Sequence, residues 1–481
     1  MKILLGVGLL VIILQSISGY NEEKVEEVAK WNRVEYEFLP KPEFSSVGPY
    51  KYYIPENNNI ASFGFHPASK LVVVTIGRLR PGVPTSLGAY CLNEFNFGKS
   101  PRIWGFPNYE INELHDVDFL RGTEEERGRK VWNKPGDLTR TEKYYYNNFH
   151  NKYPYLQQIP FYDKPFPIKV GPFYDLDRII SVFHVTVDEK CNRLFFIDNG
   201  QVQYNQSATY AIQKPALVVM ELPANGCHSR VFPIVRRTEL PDKIIEKGSY
   251  GFAHVVLDYQ SESSCDDLFL YITNPLYNFL MVYDFKNNDF WTIDHQTFQP
   301  ILTESSFVFD KTFEYQMPLG LYSVSLGFPN EAGDRTAYYT QKAGTAQYEV
   351  STRVFKEKSN PVTTVEDFAI MGYRECKHQS SKTVIDYTYG VMFYAEIQTN
   401  QVRCWNIKKP LNPDNIGVVF ESENFVGGIQ MFIDSQGYLW FHSSEVPVIF
   451  ASELPLDLTK VNNRIFRIKV SDAILGTVCE N

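Results

Sequence analysis

The chain has 481 residues, a formal net charge of −9 at pH 7 and aromatic residues at 15% of its composition. An acidic chain without a dense basic cluster is a poor match for nucleic acid, so we expect no nucleic-acid partner. The 31 tyrosines and 35 phenylalanines favour strands over helices. The acidic balance mildly favours a cationic ligand.

The first residues are typical of a secretory signal peptide. Lys2 precedes the uncharged apolar run Ile3–Leu14, and the small residues Ser18 and Gly19 follow. We therefore assign residues 1–19 to a signal peptide. No later apolar run reaches the roughly 20 residues that a membrane span needs. The sequence thus predicts a secreted, extracellular protein without a membrane partner.

The N-terminal segment 25–39 begins with a helical pattern and ends in the alternating strand pattern Val34–Phe38. The strand repeats that follow along the chain predict a propeller, and a propeller has to close its ring or leave an exposed sheet edge. We expect the strand at Val34–Phe38 to join the C-terminal blade and close the ring.

A three-strand pattern then recurs along the chain. An apolar strand ends at a turn, an aromatic-rich strand follows, and a third strand leads into a polar hairpin. The first strands end near positions 66, 188, 258, 327, 386 and 434. The later copies are roughly 50 to 70 residues apart, which is the period of a propeller blade with long loops. Two β-sandwich domains would not keep this spacing, and a β-solenoid would have shorter repeats. The sequence predicts an all-β fold, a six-bladed β-propeller formed by residues 20–481 as a single domain.

The first interval is longer than the others, and the excess lies at about residues 112–172. This stretch contains a charged part at 122–130 and a tyrosine-rich part at 144–162. We interpret it as an insertion between blades that decorates the surface. A lid over the channel and a patch of cross-linkable tyrosines are the alternatives.

No catalytic signature is found in the sequence. It contains no HExxH, GxSxG, phosphate-binding loop or dinucleotide-binding motif, and its nine histidines do not cluster at metal-ligand spacing. We therefore expect no metal, no cofactor and no identifiable catalytic residue.

One set of polar residues stands out when the six repeats are aligned on their turns. The residue four positions before each turn is polar in every copy, and the next residue is almost always apolar. Because side chains alternate along a strand, the polar set faces one way. These residues, the channel set, are predicted to border the central channel at similar depth and to bind a ligand: Ser62, His184, His254, Ser323, Lys382 and Gln430. Alternatively, they satisfy hydrogen bonds between blades around buried water. Lys382 is the member expected to turn toward solvent, because a lone buried ammonium group is costly.

The seven cysteines are an odd number, so at least one thiol is free or pairs between chains. This leaves a disulfide-linked or cross-linked oligomer open. Asn205-Gln206-Ser207 is an N-glycosylation sequon, and we expect a glycan on Asn205.

Five segments, in the right order, resemble motifs of the yellow / major royal jelly protein family of insects. They are 77–87, 181–200, Cys404-Trp405-Asn406, 461–465 and Gly476-Thr477-Val478-Cys479. The resemblance spans residues 31–479 and implies a six-bladed propeller. Phe195 stands where the family usually has tryptophan. A cysteine common in the family is missing near residues 212–215, so Cys191 lacks its usual partner, and Cys227 and Cys265 are candidate substitutes.

The resemblance implies catecholamine or indoleamine chemistry outside the cell. Our first expectation is a non-catalytic binder of a small aromatic amine or a catecholamine-derived melanin precursor, acting in cuticle or eggshell pigmentation or hardening. The second is an enzyme, a dopachrome tautomerase or decarboxylase in which His184 or His254 serves as the general base. The third is a cross-linked structural protein of cuticle or eggshell.

Overall fold

The computed structural model describes most of the chain after residue 21. The ranges it describes are 22–42, 45–47, 50–114, 168–170, 178–205, 208–227, 232–248, 250–309, 313–358, 367–452 and 454–480. The predicted signal peptide and most of the predicted insertion lie outside these residues. None of the helices in these ranges is long and apolar enough to cross a membrane.

Strands dominate the structure. In chain order they are β1 (Glu26–Trp31), β2 (Ser46–Val47), β3 (Tyr50–Lys51), β4 (Ser62–His66), β5 (Leu71–Thr75), β6 (Leu87–Cys91), β7 (Trp104–Gly105), β8 (Ile168–Val170), β9 (Val182–Asp188), β10 (Arg193–Asp198), β11 (Gln201–Asn205), β12 (Ala208–Ala211), β13 (Ala216–Glu221), β14 (Ile234–Glu239), β15 (Val255–Tyr259), β16 (Leu268–Asn274), β17 (Phe279–Asp284), β18 (Asp289–Asp294), β19 (Ser306–Phe309), β20 (Phe313–Gln316), β21 (Leu321–Pro329), β22 (Arg335–Gln341), β23 (Ala346–Ser351), β24 (Ala369–Tyr373), β25 (Ser380–Asp386), β26 (Val391–Glu396), β27 (Gln401–Asn406), β28 (Ile416–Glu421), β29 (Met431–Ile433), β30 (Tyr438–Ser444) and β31 (Asn463–Lys469). The helices are short: α1 (Tyr109–Asn112), α2 (Asp242–Lys247), α3 (Thr352–Lys356), α4 (Val446–Ala451) and α5 (Val470–Ile474).

Six four-stranded antiparallel sheets form the blades of a propeller. Blade 1 is β4-β5-β6-β7, blade 2 is β9-β10-β13-β14, blade 3 is β15-β16-β17-β18, blade 4 is β21-β22-β23-β24, blade 5 is β25-β26-β27-β28, and blade 6 is β29-β30-β31-β1. The first strand of each blade packs against the first strand of a neighbouring blade, so these six strands surround the axis. This arrangement confirms the predicted six-bladed propeller.

The hydrophobic core is divided into layers between neighbouring blades. Each layer takes side chains from the facing surfaces of two sheets, as where Phe63 of blade 1 meets Trp440 of blade 6. A blade is covered on both faces, which is why the apolar strand β5 has every residue buried. Burial on both faces explains why a middle strand such as β5 has an almost continuous apolar sequence.

The N-terminal strand closes the ring, but it lies earlier in the chain than predicted. β1 pairs with β31 from Glu26 opposite Arg467 to Trp31 opposite Asn463. The prediction of a helix there and of a closing strand at Val34–Phe38 was wrong. A β-bulge between Glu27 and Ala29 breaks the alternation, and so Val28 and Ala29 are both buried, which resembles helical spacing.

Three disulfides tie separate parts of the propeller together. Cys91 pairs with Cys227 between blades 1 and 2, and Cys191 pairs with Cys265 between blades 2 and 3. The third joins Cys404 of β27 to Cys479 near the C-terminus. The seventh cysteine, Cys376, is exposed and forms no disulfide within the described residues. An odd number of cysteines leaves at least one without a partner in the same chain. Asn205 is the last residue of β11, at the tip of the β11–β12 hairpin, and its glycosylation stays a prediction.

Candidate functional site in the central channel

The structure places every member of the channel set at the same end of an innermost strand. Ser62 begins β4, and His184, Ser323 and Lys382 are each the third residue of β9, β21 and β25. The other two, His254 and Gln430, directly precede β15 and β29. The six residues thus come from six different blades. Whether they bind a ligand stays a prediction.

Two members of the channel set hold blades together. The Gln430 amide nitrogen Nε2 donates to the carbonyl oxygens of Phe63 and Val185, at 3.2 Å each. The Ser323 hydroxyl accepts from the backbone N–H of Thr383 at 3.0 Å. These contacts join inner strands of different blades, so Gln430 and Ser323 fit the alternative of hydrogen bonding between blades.

Three of the remaining members each have a buried polar atom with no partner in the described part of the chain. The imidazoles of His184 and His254 lie 4.5 Å apart, and the Tyr322 ring meets His254 edge-on at 5.3 Å, measured between centroids. The buried atoms Nδ1 of His184, Nε2 of His254 and Oγ of Ser62 make no hydrogen bond. Buried polar groups in proteins are nearly always paired, so these atoms are available to a bound molecule.

A second lysine, Lys342, joins this group from the end of β22. Its Nζ lies 4.3 Å from the centroid of the Tyr322 ring and 3.3 Å from Oγ of Ser381. Lys342 was not predicted as a site residue, because the aligned polar position lies on the first strand of each blade and Lys342 follows a second strand. The sequence feature that could have identified it is a lysine in the short sequence Gln341-Lys342-Ala343-Gly344, at the channel end of a second strand. We call His184, His254, Lys342 and Lys382 the basic cluster.

Burial governs the charges in the basic cluster. It lowers the pKa of Lys342 and that of Lys382 to about 7. Burial and the nearby lysine charges lower the pKa of His184 to about 3 and hold the pKa of His254 well below its usual value. At neutral pH the imidazoles are therefore uncharged, and each lysine releases its proton more readily than an exposed lysine does. Lys382 is partly exposed, and its charge acts on both His184 and His254.

The opposite end of the inner strands carries carboxylates. Asp188, Asp258, Asp386 and Asp434 close the first strands of blades 2, 3, 5 and 6. They bind groups of their own blade or of the next one: Asp434 accepts from the Trp440 indole N–H at 2.7 Å, and Asp258 pairs with Arg335 and Lys356 of blade 4. These carboxylates lie at the opposite end of the inner strands from the basic cluster, and the described residues contain no group of three or more side chains that could hold a metal ion.

An apolar cluster adjoins the basic cluster at its end of the channel. The β19–β20 hairpin supplies Phe307, Phe309 and Tyr315, which join Tyr322 in one buried group. Tyr315 stacks on Phe307 with centroids 5.6 Å apart. We call this group the aromatic cover. An aromatic molecule that reached the basic cluster would find apolar surface beside it.

The buried histidines make acid sensitivity an expected property of this fold. Burial lowers the pKa of His442, on β30, to about 3. A histidine whose pKa is lowered in the folded state does not reduce the free energy of unfolding at a pH above its unfolded-state pKa of about 6.5. As the pH falls below that pKa, the free energy of unfolding decreases. When the pH is lowered from about 7 to about 4.5, the free energy of unfolding should therefore decrease by about 2 to 3 kcal/mol less in His442→Phe than in the wild type.

Urea unfolding of the wild type and of His442→Phe at the two pH values measures this difference. The comparison isolates the histidine from Asp188, whose raised pKa acts in the opposite direction. Parallel pH profiles for the two proteins would contradict the expectation.

Comparison with known proteins supplies the family. The family model for major royal jelly protein matches residues 180–479. Yellow-related salivary protein ASP4 of Phlebotomus orientalis is 33% identical over 313 residues, 65% of this chain and 76% of that protein. L-dopachrome tautomerase yellow-f of Drosophila melanogaster is 26% identical over 464 residues, 94% of this chain and 89% of that protein. A chain of the nidogen/laminin complex matches with a TM-score of 0.33 and 9% identity, covering 63% of this chain and 84% of that chain.

The matched range contains four of the five segments singled out in the sequence and five of the six blades, from β9 to β31. The propeller fold and the order of the motifs agree with it. The chain belongs to the yellow / major royal jelly protein family.

Proposed function

We propose that this protein is a secreted, non-catalytic binder of a small aromatic molecule, held at the basic end of the central channel. The observation that carries the proposal is the set of unpartnered buried atoms on Ser62, His184 and His254 beside the Tyr322 ring. Each such atom costs about 1–3 kcal/mol when it is left without a hydrogen bond. A ligand that pairs with them recovers part of that cost, and its ring gains apolar contact with the aromatic cover.

Secretion is part of the proposal for two reasons. Three disulfides are typical of proteins that fold in an oxidising compartment. Relatives such as ASP4 carry the word salivary in their names. An aromatic amine or a melanin precursor is the ligand class that the family membership favours.

A second candidate is dopachrome tautomerisation, because the relative yellow-f bears that activity in its name and aligns with 94% of this chain. The basic cluster changes the choice of base. With its pKa near 3, His184 is a weak base, whereas Lys342 and Lys382, with pKa values of about 7, suit proton transfer near neutral pH. Faster loss of dopachrome absorbance in the presence of the protein would favour this candidate over simple binding.

Binding should depend on His254. Replacement by phenylalanine keeps a ring beside His184 and Tyr322 but removes the unpartnered Nε2, so we expect affinity for a bound aromatic to fall at least tenfold, which is about 1.4 kcal/mol. Calorimetric titration with dopamine, serotonin and L-DOPA measures the effect.

His66→Phe is the matched control. His66 also lies on an inner strand, but at the acidic end of the channel, and its nitrogens bond Ser69 and Asn192. Its replacement should leave binding unchanged. Absence of binding to all three compounds at millimolar concentration, or an equal loss in both variants, would rule the proposal out.

A further inference from the structure

Two ammonium groups reach the same end of the channel from adjacent blades. Lys342 follows the second strand of blade 4, and Lys382 lies on the first strand of blade 5. The Nζ of Lys342 is 3.3 Å from Oγ of Ser381, the residue next to Lys382. Both lysines also act electrostatically on His184 and on His254, from blades 2 and 3. Four blades therefore bring their basic groups to one place.

The buried carboxylates at this end of the blades are committed to other partners. Asp198 accepts from the backbone N–H groups of Ile180 and Ser181. Glu396 pairs with His378, and Glu445 with Lys460. Within the described ranges, neither Lys342 nor Lys382 forms an ion pair with a carboxylate.

Buried charges in proteins are normally paired, and an unpaired ammonium group is costly. A cationic ligand would add a third positive charge beside the two lysines. A carboxylate would supply the missing counter-charge and, as an acceptor, would suit the donors of an ammonium group. The local charge of the channel therefore opposes the cationic ligand that the net acidity of the whole chain favours.

We infer that the channel takes an aromatic molecule bearing a carboxylate, and that Lys342 and Lys382 bind this carboxylate while the ring system packs against Tyr322. The inference rests on the proposed function, because it specifies the ligand class of the same site. The position of Tyr322 supports it: one ring lies 4.3 Å from Nζ of Lys342 and meets His254 edge-on, so the anion-binding and ring-binding groups are adjacent.

Two indoles that differ only in the charged end of an identical two-carbon side chain test the inference. Indole-3-propionate carries a carboxylate, and tryptamine carries an ammonium group. Calorimetric titration at neutral pH should show that indole-3-propionate binds the wild type at least tenfold more tightly than tryptamine. Lys382→Met and Lys342→Met should each weaken indole-3-propionate binding at least tenfold and leave tryptamine binding unchanged or stronger.

Lys286→Met is the control, because Lys286 lies in the turn between β17 and β18 with 62% of its side chain exposed. It should leave both affinities as they are, and thermal unfolding checks that each variant is folded. Equal or tighter binding of tryptamine by the wild type would overturn the inference and leave the proposed function standing. If neither indole binds at millimolar concentration, the inference fails, and the titrations with dopamine, serotonin and L-DOPA decide whether the proposed function fails with it. Unchanged indole-3-propionate binding in both lysine variants would overturn the inference alone.

Discussion

Replacement of Arg78 by methionine is expected to lower the free energy of unfolding by more than about 4 kcal/mol, a large part of the stability of an ordinary domain. The Arg78 side chain is buried, and its guanidinium donates to backbone carbonyl oxygens of three separate segments. They belong to Val83 and Pro84, to Ile179 and Ile180, and to Asn112.

Methionine fills a similar volume but leaves these buried acceptors without a donor. Each loss costs about 1–3 kcal/mol, so several together exceed most single substitutions. Lysine should not rescue the fold, because one ammonium group cannot reproduce the planar set of donors. The guanidinium thus links blade 1 to the segments that lead out of blade 1 and into blade 2.

Urea unfolding followed by tryptophan fluorescence measures the loss. The matched control is Arg102→Met, since Arg102 lies in the same blade with 62% of its side chain exposed and pairs with Glu35 alone among the described residues. That substitution should change stability by less than about 0.5 kcal/mol. A stability for Arg78→Met within about 1 kcal/mol of the wild type would show that the carbonyl oxygens find other donors.

Trp31→Ala should cost about 3 to 5 kcal/mol. Trp31 is the last residue of β1 and is fully buried. Its indole N–H donates to the carbonyl oxygen of Pro101 at 2.8 Å, and its ring meets that of Tyr90 edge-on. β1 belongs to blade 6, while Pro101 and Tyr90 belong to blade 1. The substitution therefore weakens the contact between these two blades, which closes the ring.

Phe38→Ala serves as the control in the same N-terminal segment, with Phe38 83% exposed. It should leave the urea midpoint unchanged, whereas Trp31→Ala should lower it strongly. Similar midpoints for Trp31→Ala and the wild type would mean that the junction between β1 and blade 1 contributes little to stability.

The fold could be predicted because each blade repeats a pattern that is visible in one sequence. Spacing, apolar first strands and aromatic second strands were enough for six blades. The outer strands were not predicted, because β7 has only two residues and β14 lacks a clean alternation. The closing strand was misplaced because the bulge at Glu27 imitates helical periodicity.

The site could be predicted only in part. Equal offsets from the turns selected His184, His254 and Lys382, which lie at the same end of their inner strands, and their role in binding stays a prediction. The same reasoning also selected Gln430 and Ser323, which bond between blades, since an offset says nothing about the partner of a side chain.

Contacts between distant segments could not be predicted from the sequence. Lys342 comes from a second strand, and its approach to Lys382 depends on how two blades pack. The disulfide pairs have the same origin. Cys265 proved to be the partner of Cys191, whereas Cys227 pairs with Cys91, across 136 residues of chain.

The position of a bound aromatic tests the central claim most directly. A crystal structure of the protein with indole-3-propionate should show the carboxylate within hydrogen-bonding distance of Nζ of Lys342 or Lys382, and the indole against Tyr322. An indole bound at the acidic end of the channel, or on the outer surface of the blades with the basic cluster untouched, would contradict it.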